Sequence, residues 1–322
     1  EGDIEVVGAA REPHEARQMI KDTNPDVITL DVEMPGMTGL EFLEKIMTLR
    51  PMPVVMVSSL TSEGAEATLA ALSAGAVGFV PKQVCGGSQH DFAKIVRKSV
   101  REASKAKVRT VSPARPAMPR VAQSTRRRTG AAGLIAIGSS TGGVQALTQL
   151  ISHLPKDLPP IVIAQHMPAG YTARFASRIS AQTGHQMAEG RDGEMLRPGM
   201  IRIAPGDRHI EIVRSGVSYV TRLNDEGKVS GHKPSVDVLF RSVASQVGGK
   251  ALGIMLTGMG SDGAKGMLSM RREGAICLGE AESSCVVYGM PKAAKQIGAV
   301  SEEHDLSKMP GRVCELLSGV PV

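Results

Sequence analysis

At 322 residues the chain exceeds one ordinary hydrophobic core, so about two domains are expected. It has no Trp, 3 Tyr and 5 Phe, no apolar run long enough to span a bilayer and no secretory leader pattern, which argues against aromatic base stacking, membrane insertion and export. The net charge is +6, but eight basic residues and no acid fall within Lys105 to Thr129, so the remainder carries −2 and the charge describes one segment rather than a nucleic-acid surface.

The first half alternates short apolar runs with amphipathic stretches. Strands are predicted at Ile4 to Ala9, Val27 to Leu30, Val54 to Val57 and Ala76 to Val80. Helices are predicted at Glu15 to Lys21, Gly39 to Leu49, Glu63 to Ala74 and around Phe92 to Val100. This alternation argues for a parallel sheet with helices on both faces. The last three strands end on or beside Asp31, Ser58 and Lys82. At the carboxyl edge of a parallel sheet, a carboxylate, a hydroxyl and an ammonium could together handle a phosphoryl group. Polar residues also gather at strand ends simply because these meet water, so the argument rests on all three together.

The run Thr29-Leu30-Asp31-Val32-Glu33-Met34-Pro35-Gly36-Met37-Thr38-Gly39-Leu40 resembles the phosphorylation loop of two-component receiver domains. That resemblance implies a flavodoxin-like (βα)5 fold, Asp31 as phosphoacceptor, and Ser58, Phe79 and Lys82 as the switch positions. It also implies assistance by Mg²⁺ through Asp31 and the Glu33 backbone carbonyl. Receivers open with a strand ending in an acidic pair that holds the metal. The sequence begins with Glu1-Gly2-Asp3, at what resembles the second receiver strand. A truncated receiver, poorly phosphorylated as it stands, is therefore expected.

Pro113, Pro116 and Pro119 lie among Ser, Thr, Ala and Arg, and residues 105–131 read as an extended, basic linker. The expected organisation is a receiver over 1–104, this linker, and a catalytic domain over 132–322. Four cysteines (85, 277, 285, 314) lack metal-ligand spacing and are expected to be reduced, mostly buried thiols of a cytoplasmic protein.

From Leu134 the alternation resumes. Strands are predicted at Leu134 to Ile137, Ile161 to Ala164, Met200 to Ala204, Ile210 to Val213, Leu252 to Leu256 and Ala275 to Leu278. Helices are predicted at Val144 to Leu150, Tyr171 to Gln182, Val236 to Gln246 and Gly263 to Arg272, with an inserted hairpin region within Met187 to Leu223. A doubly wound, mostly parallel α/β domain is the expected fold.

Its first strand runs into Gly138-Ser139-Ser140-Thr141-Gly142-Gly143. Gly138, Ser140 and Gly142 fit G-x-S-x-G, in which flanking glycines permit a strained turn and expose a serine nucleophile. A serine needs a base and an acid to orient that base. His166 ends the next strand, with His209 and His232 as rivals. Asp262 opens a helix after a second strand and glycine-rich turn, with Asp237 as its rival; either aspartate could equally serve as a helix N-cap. The Thr141 amide is one oxyanion donor, and the turn around Met259 offers another. A phosphate-cradling loop is disfavoured because no Gly-Lys-Ser/Thr follows and the next acid, Asp157, precedes two prolines. A DNA-binding output domain is disfavoured because no basic recognition helix follows Gly133.

Gly138 to Gly143, Gln165-His166-Met167-Pro168, Leu256-Thr257-Gly258-Met259-Gly260-Ser261-Asp262-Gly263 and Ser284-Cys285-Val286-Val287-Tyr288-Gly289-Met290-Pro291 together resemble the chemotaxis protein-glutamate methylesterases, the CheB family. The resemblance covers nearly the whole chain. It implies a Ser140, His166, Asp262 triad with oxyanion donors at Thr141 and Met259 and no cofactor for catalysis. It implies demethylation of glutamate γ-methyl esters on methyl-accepting chemotaxis receptors, often with deamidation of receptor glutamines. It also implies phosphorylation by the chemotaxis histidine kinase, relieving inhibition of the catalytic face. Ser139 stands where some relatives carry Ala, so a second hydroxyl beside the nucleophile needs its own test.

Overall fold

The computed structural model describes residues 2–34, 36–59, 61–82, 89–108 and 133–318. The chain divides into two compact units, Glu1–Arg115 and Pro116–Val322. Most of the expected linker, Pro35 of the phosphorylation loop and Cys85 lie outside the described residues.

The first unit runs α1 (Pro13–Thr23), β1 (Ile28–Asp31), α2 (Gly39–Leu49), β2 (Val54–Ser58), α3 (Ser62–Ala74), β3 (Gly78–Pro81) and α4 (Gln89–Ala103). Its strands form a parallel sheet in the order β1-β2-β3. Helix α2 starts at a capping box: the Thr38 hydroxyl accepts the Glu41 amide at 3.2 Å, and the Glu41 carboxylate accepts the Thr38 amide at 2.9 Å. This fixes where the chain turns after β1 and so how Asp31 is presented. The predicted strand at Ile4 to Ala9 is not formed. It has no ladder partner among the described residues, and Val6 is 82% exposed. Alternation alone makes no strand; the backbone groups need a neighbour to bond.

The second unit is built on a seven-stranded, wholly parallel sheet. In chain order its strands are β4 (Leu134–Ser139), β5 (Ile161–Gln165), β6 (Gln186–Glu189), β7 (Met200–Ile203), β10 (Ala251–Met255), β11 (Ile276–Glu280) and β12 (Glu302–His304). Between β7 and β10 lies the antiparallel hairpin of β8 (His209–Ser215) and β9 (Ser218–Asn224). The sheet order is β12-β11-β10-β4-β5-β7-β6. Helices α5 (Gly143–His153), α6 (Thr172–Thr183), α7 (Val236–Gln246), α8 (Ala264–Arg272), α9 (Met290–Gln296) and α10 (Met309–Ser318) accompany it.

Strand β4 is central. The chain proceeds from it toward β5 on one side and later returns to β10 on the other, so the direction of winding reverses beside β4. Crevices at such reversals collect ligands at the strands' carboxyl ends. All six residues of β4 and all five of β5 and β10 are buried. That burial explains why these strands read as continuous apolar runs.

The predicted strand at Ile210 to Val213 belongs to the hairpin rather than the parallel sheet, as the insertion at Met187 to Leu223 suggests. Ile210 and Ile212 are buried in one apolar cluster with Leu239, Phe240 and Val243 of α7. Strands β6 and β12 and helices α9 and α10 are not among the predicted elements; β12 has no apolar residue to read and β6 only Met187 and Ala188. Cys277, Cys285 and Cys314 are buried, and burial pushes the Cys277 thiol up to about 12.

Candidate active site

Ser140 is the first residue beyond β4. Its amide donates to the Thr257 carbonyl at 3.0 Å, and its own carbonyl accepts from Gly143 at 2.8 Å as α5 begins. The two flanking glycines have different tasks. Gly138 lies inside β4, where an added Cβ would stand 2.2 Å from a Val236 methyl, so its bareness lets α7 lie against the sheet. Gly142 takes the left-handed conformation, at φ 78°, on entering α5. Ser140 itself is not in positive-φ backbone, so the strain expected at the nucleophile is carried by Gly142 instead.

The neighbouring serine is separated from it by the strand's alternation. Ser139 is fully buried and donates to Gln165 Oε1 at 2.6 Å. The Gln165 amide nitrogen then donates to the carbonyls of Ser140 at 3.0 Å and His166 at 3.1 Å. A buried Ser139–Gln165 pair therefore clamps the two turns that carry Ser140 and His166.

His166 follows β5, which pairs with β4 in a register placing Gln165 opposite Ser139. Its Nδ1 lies 3.0 Å from Ser140 Oγ, and its Nε2 lies 2.7 Å from Asp262 Oδ2. A neutral ring that donates Nε2–H to Asp262 leaves Nδ1 as acceptor toward the serine proton.

Asp262 arrives from the turn after β10, the strand on the other side of β4. It is buried and does not cap its own helix; Gly263 holds that position without a side-chain bond. Instead its carboxylate accepts the Ser235 hydroxyl at 2.8 Å and the amides of Val236 at 2.8 Å and Asp237 at 3.1 Å. These amides open α7, whose positive end faces the carboxylate. Burial works against its charge, but the bonds from His166, Ser235 and Val236 outweigh that, and the carboxyl is held below its ordinary value.

The rivals resolve differently. His209 is buried: its Nδ1 accepts the Ser235 amide at 3.1 Å and its Nε2 donates to the Gly227 carbonyl at 3.0 Å. Asp237 accepts the Gly266 amide at 2.7 Å and the Ser230 hydroxyl at 3.0 Å. His232 lies on His166 itself, ring on ring, with centroids 3.7 Å apart and planes within 4°. It covers one face of the imidazole from a tight turn in which Val229 and His232 exchange backbone bonds of 3.0 Å.

The Thr141 and Met259 amides make no hydrogen bond among the described residues. The two turns that carry them are tied together through Thr257. Its carbonyl receives the Ser140 amide at 3.0 Å and its hydroxyl donates to the Thr141 carbonyl at 3.0 Å.

In the first unit, Lys82 Nζ stands 2.6 Å from Asp31 Oδ2, and the Glu33 amide donates to Asp31 Oδ1 at 3.0 Å. Ser58 does not join them. Its hydroxyl is fully buried and donates toward the Gly64 carbonyl at 3.0 Å, because that side chain points into the start of α3. The next hydroxyl, Ser59, lies 3.2 Å from Glu33 Oε1. Phe79 is half-buried on β3, opposite Met56 of β2. Among the described residues no cluster of three His, Cys, Asp or Glu side chains could hold a metal ion. One carboxylate and a backbone carbonyl do not by themselves satisfy Mg²⁺, which demands octahedral oxygen ligation.

Sequence reasoning overlooked Ser235, Thr257 and Glu280, and left His232 open as an alternative to His166. Ser235 and Thr257 stand beside named motif residues. Glu280 ends an apolar strand, and a lone acid there was a readable signal.

The CheB methylesterase family model matches residues 135–313, and the response regulator receiver domain model matches residues 1–95. The chain is 53% identical over 320 residues to protein-glutamate methylesterase/protein-glutamine glutaminase 1 of Caulobacter vibrioides, covering 98% of this chain and 91% of that protein. It is 47% identical over 326 residues to the corresponding protein of Methylobacillus flagellatus, covering 98% and 90%. Among solved structures, the catalytic domain of Thermotoga maritima CheB methylesterase matches with a TM-score of 0.56 at 35% identity, over 58% of this chain and 99% of that one.

Proposed function

Because the chain belongs to the CheB methylesterase family, a chemotaxis response regulator with a receiver ahead of a protein-glutamate methylesterase/glutaminase, we propose that Ser140, His166 and Asp262 perform its hydrolysis. The observation that carries this reading is the continuous chain of bonds from Ser140 Oγ through both nitrogens of His166 to a buried carboxylate.

The substrate is the γ-methyl ester of a glutamate on a chemotaxis receptor. His166 Nδ1 takes the hydroxyl proton as Ser140 Oγ bonds to the ester carbonyl carbon. Asp262 steadies the imidazolium, whose Nε2 keeps its proton throughout. The carbonyl oxygen, now an anion, is received by the Thr141 and Met259 amides. The tetrahedral centre collapses as Nδ1–H protonates the departing methoxide, releasing methanol. A water, deprotonated by the same nitrogen, attacks the acyl-enzyme, and the Ser140 oxygen leaves with that proton. For a receptor glutamine the sequence is the same, with ammonia leaving in place of methanol. No step calls on a cofactor.

In the receiver, the Asp31–Lys82 pair supports phosphorylation of Asp31 by the chemotaxis histidine kinase as the controlling input, with Lys82 neutralising the added charge. Ser58 and Phe79 are the positions through which that input would be read. Receivers in general use Mg²⁺ for this step, and the described residues supply only part of such a site. Residues 1–104, 105–131 and 132–322 would serve as receiver, linker and catalytic domain in a cytoplasmic protein; among the described residues no helix is long and apolar enough to cross a membrane.

The test is methanol release from methylated receptor. Ser140→Ala, His166→Ala and Asp262→Ala are each expected to lose at least about 10³-fold in kcat while remaining folded. Hydrolysis persisting in Ser140→Ala would remove Ser140 as nucleophile.

A further inference from the structure

Glu280, the last residue of β11, is fully buried in the second unit and takes no part in the chain of bonds from Ser140 to Asp262. A buried carboxyl is costly unless its oxygens find donors. One does: Glu280 Oε2 accepts the Thr257 amide at 2.8 Å. The other, Oε1, accepts the Ser284 hydroxyl at 3.1 Å. Burial lifts this carboxyl to about 7, and with or without its proton it keeps one oxygen that accepts the Thr257 amide.

Thr257 is no ordinary partner. Its carbonyl and its hydroxyl both join one side of the reaction centre to the other. Its carbonyl holds the amide of Ser140 at 3.0 Å, and its hydroxyl donates to the Thr141 carbonyl at 3.0 Å while accepting the Val287 amide at 2.9 Å. The following residue, Gly258, receives the amides of Gly289 at 3.1 Å and Met290 at 2.8 Å. The separation of the Thr141 and Met259 amides is therefore set by where Thr257 sits, and its remaining polar atom, the amide nitrogen, is anchored by Glu280.

We infer that Glu280 is a positioning residue for ester hydrolysis, holding Thr257 so that the Thr141 and Met259 amides converge on one oxyanion. It touches neither substrate nor reacting atoms. Its effect falls on the transition state, because the carbonyl oxygen gains its charge only there. The inference rests on the serine hydrolase reading above and adds a residue that the triad does not require.

The test uses the full chain and methylated receptor, with Glu280→Gln, Glu280→Leu and Thr257→Val measured beside Ser140→Ala. Glu280→Gln keeps an oxygen for the Thr257 amide and presents an NH₂ that donates to Ser284 Oγ, whose hydroxyl proton turns to the Ala281 carbonyl, and is expected to hold kcat within about threefold. Glu280→Leu fills the volume but strands the amide. Its kcat is expected to fall by about 10- to 100-fold with KM little changed, part of the roughly 10²- to 10³-fold that one oxyanion donor supplies. Thr257→Val loses the hydroxyl bonds and is expected to fall likewise; it decides the matter should the leucine variant fail to fold. Wild-type kcat in a folded Glu280→Leu or in Thr257→Val would overturn the inference. So would an equal loss in the glutamine variant. If Ser140→Ala also hydrolyses the ester, the serine reading itself fails; if it is inactive while Glu280→Leu is unimpaired, only the positioning role fails.

Discussion

Asp262 and Asp237 cap each other's helices. Asp262, just ahead of α8, receives the amides of Val236 and Asp237 that open α7, while Asp237, in the first turn of α7, receives the amide of Gly266 in the first turn of α8. The exchange locks two helices that flank one carboxylate, and that carboxylate orients His166. A helix N-terminus supplies both the donors and the positive end of a dipole, which keeps Asp262 ionised despite burial.

The two aspartates should therefore separate in their effects. Asp237→Ala is expected to cost about 1–2 kcal/mol in stability through loss of a capping bond, with kcat reduced less than tenfold. Asp262→Asn places an NH₂ against donors that need an acceptor and is expected to lower kcat by about 10³- to 10⁴-fold. Urea denaturation and methanol release measure the two. Equal losses of kcat would mean the exchange, rather than the carboxylate at His166, governs catalysis.

Ser139 and Ser140 are neighbours with opposite surroundings. Removing the Ser139 hydroxyl leaves Gln165 Oε1 without its buried donor, a cost of about 1–3 kcal/mol. Ser139→Ala is expected to melt earlier yet still be labelled by a serine-directed phosphonate. Ser140→Ala should show the reverse: ordinary stability and no labelling.

His232 covers one face of the His166 ring. A stacked aromatic pair is worth about 0.5–1.5 kcal/mol. His232→Ala is expected to lower kcat/KM by about 3- to 10-fold, whereas His232→Phe keeps the stack and should stay within about twofold. Steady-state kinetics with the two variants decides it, and equal losses would point to the imidazole's polar atoms instead of its stacking.

Glu280 predicts a pH dependence of stability with a definite sign. Its carboxyl is raised from 4.5 to about 7, first by burial. Between those values the folded state holds a proton that the unfolded state has released, so stability falls as pH rises through this window. The full cost, about 3 kcal/mol, is present above about pH 7. Unfolding free energies of wild type and Glu280→Gln from urea titrations, compared from pH 4.5 to 8, should diverge by that amount in favour of the glutamine variant at the upper end. A constant difference would show that Glu280 ionises in the folded state as it does in the unfolded one.

The Asp31–Lys82 pair predicts the receiver's response. Asp31→Asn is expected to abolish labelling by a radioactive small phosphodonor and any stimulation of methanol release by it, with unstimulated release unchanged. Labelling that persists in Asp31→Asn would place the phosphoacceptor elsewhere.

The sequence by itself determined the class of fold, the strand-turn-helix units and the residues that end their strands. Those features are local: burial of β4, β5 and β10 demands apolar runs, and Gly138 and Gly142 are legible because backbone approach and left-handed φ exclude side chains. Motif likeness supplied Ser140, His166 and Asp262 as a set, although spacing alone had left His209, His232 and Asp237 open. The tertiary structure decided how those side chains were used. Asp262 looked like the cap of the helix that follows it and instead caps α7, a partner 26 residues earlier in the chain. His232 became the cover of His166 rather than its replacement, Ser58 turned away from Asp31, and Ile4 to Ala9 found no neighbour to make it a strand. Glu280 and Thr257 gained their meaning only when β11 and β10 were set side by side. A side chain's direction, its burial and its bonding partner are properties of what surrounds it, and those surroundings are assembled from residues far apart in the chain.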